Sequence, residues 1–492
     1  MKQVVTCQEM KSCDSYTIER MGVPSCVLME RAALKVVEEL EKRFTTENIK
    51  QKILCVCGSG NNGGDGVAIA RILHQHGYQS AIYLAGNPDH RTEEMQRQCQ
   101  IAVNYQVPVV NNLHNEEYTT IVDAIFGVGL TREVKGEYRE LIAELNEMSG
   151  WKVAVDLPSG VDGDTVTFAF RKAGLCLYPG RKLAGQIVVA DVGIYREDGA
   201  EPKLFSMEKS DLRELPEKEA EGNKGTFGKV LVVAGSPGMC GAAFLSASGA
   251  FATGAGMVKI ITPEENRIPL QTMLPEAMIS CTGDWENDFN WSDVLVIGPG
   301  IGMSVKAADK VRFFLKKAKQ EGKPVVLDAD GLNLLAENPE WKKYLGSHVI
   351  LTPHMGEMSR LTGKSIRELK SDRAGAARAL VAETGAVCVL KDACTVTAAP
   401  DGRAWINLLG NAGMATAGSG DVLSGVLAGM QAMYLETPIE EKDAGFYAAL
   451  GTLLHGAGGD QAALRKGMAG MKAGDVACGV AEILKEQQNF KK

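Results

Sequence analysis

Residues 411–421 read N-A-G-M-A-T-A-G-S-G-D, a glycine-rich stretch that precedes a predicted helix over 422–434. Small side chains let a ligand approach the free N–H groups at the start of a helix, which bind anions. A carboxylate at such a place suits phosphoryl transfer, with Asp421 taking a proton from a hydroxyl while the N–H groups stabilise the transferring group. An ordinary helix N-cap explains Asp421 equally well when the stretch is considered alone.

On both sides of this stretch, short apolar segments alternate with helical patterns, which is typical of βαβ units and parallel sheets. In the second half, strands are predicted at Lys229–Ala234, Met257–Ile261, Asp293–Ile297, Pro324–Leu327, His348–Leu351 and Ala386–Leu390, followed by a β-ribbon of Thr395–Ala399 and Ala404–Asn407. In the first half, a helix from about Pro24 to Arg43 precedes predicted strands at Lys52–Cys57, Ser80–Leu84, Thr120–Ala124, Lys152–Asp156 and Gln186–Asp191.

The segment 196–223 is acidic, contains proline and lacks apolar periodicity, which indicates a boundary between domains. We therefore predict a domain over 1–205, a linker over 206–223 and a domain over 224–492. The length of 492 residues is too great for one ordinary core. A surface helix in place of the linker would shift the boundary only slightly.

The composition, with 45% hydrophobic and 23% charged residues and 55 glycines, fits α/β enzymes. A net charge of −8 argues against broad nucleic-acid binding. The twelve cysteines show no zinc-ligand spacing, so we expect reduced, buried thiols. The polar N-terminus has no signal-peptide core, and no apolar run reaches membrane-spanning length. We expect a cytoplasmic protein without membrane contact, and the sequence leaves open whether it is a homo-oligomer.

A second glycine-rich stretch, G-S-G-N-N-G-G-D-G at 58–66, follows the predicted strand Lys52–Cys57 and precedes a helix predicted over 67–76. It contains G-x-G-x-x-G, but the next strand ends without the acidic residue that a dinucleotide-binding fold uses for the ribose. A tight turn for close packing is the competing interpretation. Asp123 and Asp156 also end predicted strands, and ligands of open α/β sheets bind beyond such ends. Three polar strand ends together favour a site.

These segments resemble the NAD(P)H-hydrate epimerase domain. The resemblance rests on N-N-G-G-D-G at 61–66, V-D-A-I-F-G-V-G-L at 122–130, D-L-P-S-G-V-D-G-D at 156–164 and G-L-C-L-Y-P-G at 174–180, with L-M-E-R-A-A at 28–33. It implies a Rossmann-like three-layer fold and epimerisation at C6 of hydrated NADH or NADPH, with Asp156 as the acid/base group. The residues expected to bind the hydrate are Asn61, Asn62, Gly63, Gly64, Asp65, Gly127, Val128, Gly129, Leu130, Thr131, Arg132, Glu133 and Asp156, and those expected to hold a potassium ion are Asn62, Asp123 and Ser159.

The sequence departs from that family after Thr165, which runs directly into Val166-Thr167-Phe168. Members of the family have a further stretch at this point, before the V-T-F strand. We expect its absence to remove part of the sheet near Asp156. An N-terminal domain that only binds a nucleotide or a protein is the alternative that this departure favours.

The second half resembles the ribokinase-like superfamily and, within it, the ADP- or ATP-dependent NAD(P)H-hydrate dehydratase. The motifs are K-G-T-F-G at 224–228, A-G-S-P-G-M-C-G-A-A at 234–243, G-P-G-I-G at 298–302, T-P-H-M-G-E at 352–357 and the stretch at 411–421. The sequence departs from the usual residues at Met355, Asp392, Ala412 and Ala417. No P-loop motif occurs.

The second resemblance implies that Asp421 assists phosphorylation of the C6 hydroxyl, after which phosphate is eliminated to restore NAD(P)H. We expect ADP as the co-substrate, with ATP as the alternative, and Mg²⁺ to screen the nucleotide phosphates. The residues expected to bind the nucleotide are Lys391, Asp392, Ala393, Cys394, Thr395, Asn411, Met414, Ala415, Thr416, Ala417, Gly418, Ser419 and Gly420. Those expected to bind the hydrate are Ala255, Gly300, Gly302, His354, Gly356, Glu357 and Asp421, with His354 as a binding group rather than a base.

Together the two resemblances imply a bifunctional repair enzyme for hydrated nicotinamide nucleotides. The alternatives are a chain in which only the dehydratase half is active, and a ribokinase-like kinase for another small molecule. Fold alone does not separate the latter from a dehydratase. The epimerase-like neighbour favours the dehydratase, because it would supply the isomer that a dehydratase consumes.

Overall fold

The computed structural model describes residues 1–44, 50–113, 116–130, 132–197, 199, 201–218, 221–435 and 443–490. The chain divides into two compact units, one comprising Lys2–Pro202 and the other Lys203–Lys492 together with Met1. Each unit is an α/β structure built on parallel strands, which confirms the predicted fold class. Within the described residues, no helix is both long enough and apolar enough to cross a lipid bilayer.

The first unit contains a parallel sheet with helices on both faces. Its strands are β1 (Lys2–Val5), β2 (Lys52–Cys57), β3 (Gln79–Leu84), β4 (Val109–Val110), β5 (Thr120–Ala124), β6 (Trp151–Val155), β7 (Asp164–Phe168), β8 (Arg171–Lys172) and β9 (Ile187–Ala190). Its helices are α1 (Cys7–Ser15), α2 (Ser25–Phe44), α3 (Asn61–Gln75), α4 (Glu93–Asn104), α5 (Glu137–Glu147) and α6 (Ala173–Cys176).

The main sheet of this unit has the strand order β4-β3-β2-β5-β6-β7-β9, and all its pairs are parallel. Successive side chains of β2 alternate between two cores, since Ile53 and Cys55 pack on the side of α2 and α3. Leu54 and Val56 pack on the opposite side with Leu145 of α5. The continuous apolar run of β2 is therefore that of a strand covered on both faces, as in a three-layer fold.

The second unit repeats this architecture on a larger scale. Its strands are β10 (Leu204–Met207), β11 (Lys229–Val233), β12 (Met257–Ile261), β13 (Met278–Ser280), β14 (Val294–Ile297), β15 (Val325–Leu327), β16 (Val349–Leu351), β17 (Val387–Leu390), β18 (Val396–Ala398) and β19 (Ala404–Asn407). Its helices are α7 (Cys240–Thr253), α8 (Arg267–Met273), α9 (Trp285–Trp291), α10 (Val305–Glu321), α11 (Asp330–Glu337), α12 (Met355–Thr362), α13 (Ile366–Ser371), α14 (Arg373–Thr384), α15 (Ser419–Met433), α16 (Ala444–Lys466) and α17 (Ala473–Phe490).

Strands β13-β12-β11-β14-β15-β16-β17 of this unit are parallel neighbours. The predicted β-ribbon is present as the antiparallel pair of β18 and β19. Helices α7 and α15 lie side by side at very short distance, because glycines replace larger residues between them. A Cβ atom at Gly425 would lie 1.9 Å from the carbonyl oxygen of Ser246, and one at Gly249 would lie 2.4 Å from that of Val422.

The boundary and linker differ from the prediction. The units divide between Pro202 and Lys203, and the segment predicted as a linker begins inside β10, which pairs with β19. A 3₁₀ helix follows at Lys209–Glu214, with Leu212 buried. The segment was predicted to be a linker because its composition is acidic and lacks apolar periodicity. Its few apolar residues are the ones that pack into the second unit.

The sheet near Asp156 is present despite the short sequence after Thr165, so the expected loss is wrong. Strand β7 pairs with β6 on one side and with β9 on the other. Residues 156–163 alone connect β6 to β7, a short connection for parallel neighbours. Asp156 begins this connection in the left-handed region, with φ 69°, where non-glycine residues are uncommon.

Candidate active sites

The first unit contains a cavity of about 960 Å³ at the C-terminal ends of its parallel strands. Helices α1, α2 and α3 and the loops after β5 and β6 line it. Of the residues predicted to bind a ligand here, the cavity is lined by Asn61, Asn62, Asp65, Gly127, Val128, Gly129, Leu130, Arg132 and Asp156. The strand-end argument therefore located a real concavity.

The glycine-rich stretch 58–66 is in large part a helix rather than a loop. Helix α3 begins at Asn61, six residues earlier than predicted. Its glycines serve close packing, since a Cβ at Gly63 would lie 1.8 Å from the carbonyl oxygen of Gly58 and one at Gly64 would lie 2.8 Å from Met29 Cε. Gly63 and Gly64 thus allow the first turn of α3 to pack closely against Gly58 and Met29. Neither glycine lines the cavity.

Asp156 is held by a buried lysine. The Nζ of Lys172, on β8, lies 2.5 Å from Asp156 Oδ1, and both side chains are almost wholly buried. The same Nζ also donates to Thr167 Oγ1 at 2.9 Å and to the carbonyl oxygen of Phe168 at 2.8 Å. All three ammonium hydrogens are therefore engaged. Thr167 donates a further hydrogen bond to Asp156 Oδ1, so this oxygen is fixed while Oδ2 faces no such partner.

Two further carboxyl groups line the cavity. Burial, together with the charge of Asp156, raises the pKa of Asp14 to about 6, although Lys172 opposes the shift. Burial also raises the pKa of Asp65 well above its ordinary value, reinforced by Asp156 and Asp14. The cavity thus combines one lysine-paired carboxylate with two carboxyl groups that hold protons more strongly than usual.

Asp123 and Ser159 form an oxygen-rich cluster beside the cavity. Asp123 Oδ1 accepts from Ser159 Oγ at 2.7 Å, and its Oδ2 accepts from Ser159 N at 2.8 Å. Burial raises the pKa of Asp123 to about 6, because these hydrogen bonds offset only part of the desolvation. Asn62 faces Gly127 nearby, and its Nδ2 is a buried donor without an acceptor among the described residues. One carboxylate, hydroxyl and amide oxygens suit a singly charged cation.

In the second unit, Asp421 lies at the third residue of α15. The N-cap is Gly418, with φ 91°, so Asp421 is not the N-cap and that interpretation is wrong. Its carboxylate accepts no hydrogen bond from the residues that the structure describes. Burial and the charge of Asp328 raise its pKa to about 6, while Lys391 acts in the opposite direction. Asp421 is thus a carboxylate left free beside the N–H groups of a helix start.

Lys391 connects the strand ends around Asp421. Its Nζ lies 2.7 Å from Asp328 Oδ1 and 3.9 Å from Glu357 Oε2. Thr352 Oγ1 donates to the same Asp328 oxygen at 2.7 Å. Burial alone would lower the pKa of Lys391, but the carboxylates of Asp328 and Glu357 raise it. A Cβ at Gly420 would lie 3.4 Å from Lys391 Nζ, which brings the cation beneath the anion-binding turn.

His354 is engaged in capping α12. Its Nδ1 accepts from Gly356 N at 2.9 Å and from Glu357 N at 3.3 Å, while Glu357 Oε2 accepts from His354 N. Burial and the charge of Lys391 lower the pKa of His354. Burial raises the pKa of Glu357 to about 7. Nδ1 of His354 is therefore occupied by backbone donors and is not available to take a proton in this arrangement.

The turn before α15 is held by its own hydrogen bonds. Asn411 Oδ1 accepts from Gly413 N, and its Nδ2 donates to Asp460 Oδ1 on α16. The carbonyl oxygen of Ser419 accepts from Nε2 of the buried His455 at 3.0 Å. Burial lowers the pKa of His455 to about 4, so the histidine is neutral at pH 7. The turn is therefore shaped before any ligand arrives.

Comparison with known proteins assigns a family to each half of the chain. Residues 230–482 match the family described as NAD(P)H-hydrate dehydratase, and residues 25–191 match that described as YjeF-related protein N-terminus. The bifunctional NAD(P)H-hydrate repair enzyme Nnr of Moorella thermoacetica is 36% identical over 96% of this chain and 95% of its own length. The enzyme of the same name from Escherichia coli is 35% identical over 86% and 83%.

The chain belongs to the family of bifunctional NAD(P)H-hydrate repair enzymes.

A solved ribokinase-like superfamily protein from Enterococcus faecalis is similar to the second unit in structure. It superimposes with a TM-score of 0.51 and 27% identity, over 59% of this chain and 99% of its own length. The ribokinase-like prediction for this unit is confirmed.

Several residues that the family resemblance brought into the predicted sites lie elsewhere. Ala255 follows the C-terminal end of α7, beside Gly254, whose surroundings include Met433 at the far end of α15. A helix of this length spans about 20 Å, so Ala255 is not beside Asp421. Glu133 is exposed and pairs with Lys135, and Thr131 lies outside the described residues.

Other predicted residues have structural partners. Asp392 accepts from Arg373 Nε at 2.7 Å, and Cys394 is buried. Asp330, beside Asp328, accepts a hydrogen bond from Gly302 N, so the Gly300–Gly302 turn is tied to the same group of strand ends. Met414 packs against Gly459 of α16. The remaining predicted nucleotide residues lie in the turns at 391–395 and 411–418 and at the first two positions of α15.

Sequence reasoning missed Asp14, Lys172 and Thr352 and did not assign Asp328. The strand-end argument that singled out Asp123 and Asp156 applies equally to Asp328, which follows β15. No comparable signal marks Lys172, because nothing in the sequence shows that its ammonium is buried. Asp14 lies in the last turn of an amphipathic helix, where an aspartate ordinarily faces solvent.

Proposed function

We propose that the chain repairs hydrated NADH and NADPH in two steps at separate sites. The first unit interconverts the (R) and (S) hydrates, and the second dehydrates the (S) hydrate to NAD(P)H at the expense of ADP. The observation that carries the proposal is the presence of a built carboxylate site in each unit. Asp156 is paired with a buried lysine beside a cavity, and Asp421 stands free at a helix start.

In the second unit, Asp421 takes the proton of the C6 hydroxyl as its oxygen attacks the terminal phosphorus of ADP. The N–H groups at the start of α15 stabilise the charge that develops on the phosphoryl oxygens. AMP departs with the electron pair of the broken P–O bond. The phosphorylated hydrate then loses phosphate from C6 and a proton from C5, which restores the C5–C6 double bond.

Lys391 provides positive charge beside this reaction without leaving its own partners. Its ion pair with Asp328 places it under the helix start, where it can attract nucleotide phosphates. Mg²⁺ supplies further neutralisation of the phosphates when it is bound with the nucleotide. The described residues contain no group of three or more His, Cys, Asp or Glu side chains arranged for a metal.

In the first unit, a potassium ion fits the cluster of Asn62, Asp123 and Ser159. The carboxylate of Asp123 is buried, and no cationic side chain contacts it among the residues that the structure describes. A positive ion there would offset the cost of its charge. Such an ion would fix the loops after β5 and β6, and with them the wall of the cavity. We assign it a structural role next to the hydrate.

The test is incubation of mixed hydrate epimers with the full chain and ADP, with NADH recovery followed by near-ultraviolet absorbance. Parallel reactions contain ATP or no nucleotide. Complete recovery with ADP supports both activities, after subtraction of spontaneous epimerisation. Recovery that stops when the (S) form is consumed contradicts the epimerase assignment. No recovery with either nucleotide contradicts the dehydratase and favours a kinase of other substrates.

A further inference from the structure

The reaction proposed for the first unit needs two proton-transfer groups. C6 of the hydrate is a hemiaminal carbon, bonded to both N1 and a hydroxyl. Inversion by ring opening removes the hydroxyl proton as C6 becomes a carbonyl, while the C6–N1 bond breaks and its electron pair goes to N1. A proton must reach N1 in the same step. One group has to be a base and another an acid.

The base is Asp156. Its Oδ1 is fixed by Lys172 and Thr167. Its other oxygen is left for the substrate. Lys172 itself is no proton donor for the reaction, because its three hydrogens already go to Asp156, Thr167 and the carbonyl oxygen of Phe168.

The acid is a group that the predicted site lacked. We propose that Asp14 is the second catalytic residue of the first unit and donates the proton to N1 of the opening ring. Asp14 lines the same cavity as Asp156, from the last turn of α1. It is half-buried, and its carboxyl group forms no hydrogen bond or ion pair with the residues that the structure describes. It is therefore free to meet a ligand.

The electrostatic surroundings of Asp14 agree with this role. The charged groups that face it are Asp156 after β6, Lys172 on β8 and Asp65 on α3, and Lys11 of α1 also lines the cavity. Burial and Asp156 raise the pKa of Asp14 to about 6 against the opposing effect of Lys172. A carboxyl group held by a lysine, beside another whose pKa is raised towards neutrality, is an arrangement suited to an acid and base pair.

The cycle closes without a net change in the protein. Asp156 takes the hydroxyl proton and Asp14 gives its proton to N1, which yields an open aldehyde. Rotation about the C5–C6 bond presents the other face of the carbonyl to N1. N1 then attacks C6 as Asp14 recovers its proton, and Asp156 returns a proton to the oxygen. Both carboxyl groups end in the state in which they began, so no oxidant or co-substrate is needed.

The inference rests on the epimerase activity proposed above, and its test uses the full chain without nucleotide, so that dehydration is idle. Purified (R) hydrate is converted to (S), and the two forms are separated by chromatography. We expect Asp14→Asn to lower kcat about 100-fold or more while KM changes less than about 3-fold. Asp14→Glu restores at least a tenth of the wild-type rate. Asp162→Asn, at an exposed aspartate outside the cavity, leaves the rate unchanged.

The pH profile separates catalysis from folding. In the wild type, kcat/KM falls at high pH as Asp14 loses its proton, and this alkaline limb is absent from the residual rate of Asp14→Asn. A rate for Asp14→Asn within 3-fold of the wild type, or a loss that Asp14→Glu does not relieve with the limb unchanged, overturns the role of Asp14 alone. A wild-type chain that does not exceed the spontaneous rate overturns the epimerase assignment and the role of Asp14 with it.

Discussion

The two sites differ in whether their key carboxylate is paired with a cationic side chain. Asp156 is in contact with a buried lysine whose hydrogens are all engaged, inside a cavity. Asp421 has no partner of its own among the described residues, because Lys391 is paired with Asp328. The first site thus carries its countercharge within the protein. The second leaves positive charge and helix N–H groups for the phosphates of a ligand. The positive groups near a catalytic carboxylate can therefore either be paired with it in the protein or be left available for the phosphates of the substrate.

The largest effects are expected when each carboxylate is removed separately, which tests whether the two sites act independently. We expect Asp421→Asn to lower the rate of NADH formation from (S) hydrate by about 10³-fold, within the range of general-base effects. Conversion of (R) to (S) hydrate should be unchanged. Both rates are measured on one preparation, and the matched variant Asp156→Asn should show the reverse pattern. Equal loss of both activities in either variant would show that the sites are not independent.

A second test concerns the fixed partner of Asp156. Lys172→Met leaves a buried carboxylate without its cation, a change that costs about 3–5 kcal/mol when one member of a buried pair is lost. We expect a lower unfolding free energy in urea and an epimerisation rate reduced about 100-fold, with NADH formation from (S) hydrate retained. Lys52→Met removes an exposed lysine that pairs with Glu116 and should change neither quantity. A stable, fully active Lys172→Met variant would contradict the view that Asp156 depends on its ion pair with Lys172.

The pH dependence of dehydration tests whether the unpaired carboxylate of Asp421 is the group that takes the proton. Its pKa is raised to about 6, and the ionised form is the one that accepts a proton. At saturating substrate and nucleotide, kcat for dehydration should therefore fall below pH 6, by about tenfold per unit. The carboxylate is charged and active above that value. A kcat that is flat between pH 5 and pH 7 would show that another group takes the proton.

The smallest expected effect belongs to the cluster around Asp123. Potassium at ten times its dissociation constant should raise the unfolding free energy by about 1.4 kcal/mol. Tetramethylammonium at equal ionic strength should not. Thermal unfolding in the two salts measures this, and Asp123→Asn should abolish the difference. A potassium effect that survives Asp123→Asn would place the ion elsewhere.

The fold could be predicted because buried parallel strands consist of consecutive apolar residues, which are visible in the sequence. Strand β2 was predicted at its observed bounds and β17 within one residue. Helix starts were the weak point, since α3 and α15 begin in glycine-rich stretches that sequence reasoning assigns to loops. Glycine is a poor helix former in isolation, but close tertiary packing at Gly63 and Gly425 outweighs that cost.

The sites were predicted in part, and the omissions have one physical cause. Asp421 follows Gly420 at a helix start, and Asp123 and Asp156 lie at strand ends with a glycine four residues further on, so the local sequence marks all three. Lys172 acquires its importance only through Asp156, 16 residues earlier along the chain. Asp14 does so through a cavity formed by several elements. The chemistry of such groups arises from tertiary contacts, which no local pattern records.

The glycine contacts between α7 and α15 also determine where the second unit can move. With Gly425 against the backbone of Ser246, the two helices cannot slide or part without losing their contact along its whole length. Amide hydrogens of Val422 to Met430 should thus exchange with solvent only when the unit unfolds globally. The turn at 411–418 should exchange faster and slow when nucleotide binds. Asp421 would then stand on the least mobile part of its unit, and ligand binding would be accommodated by the turn before it.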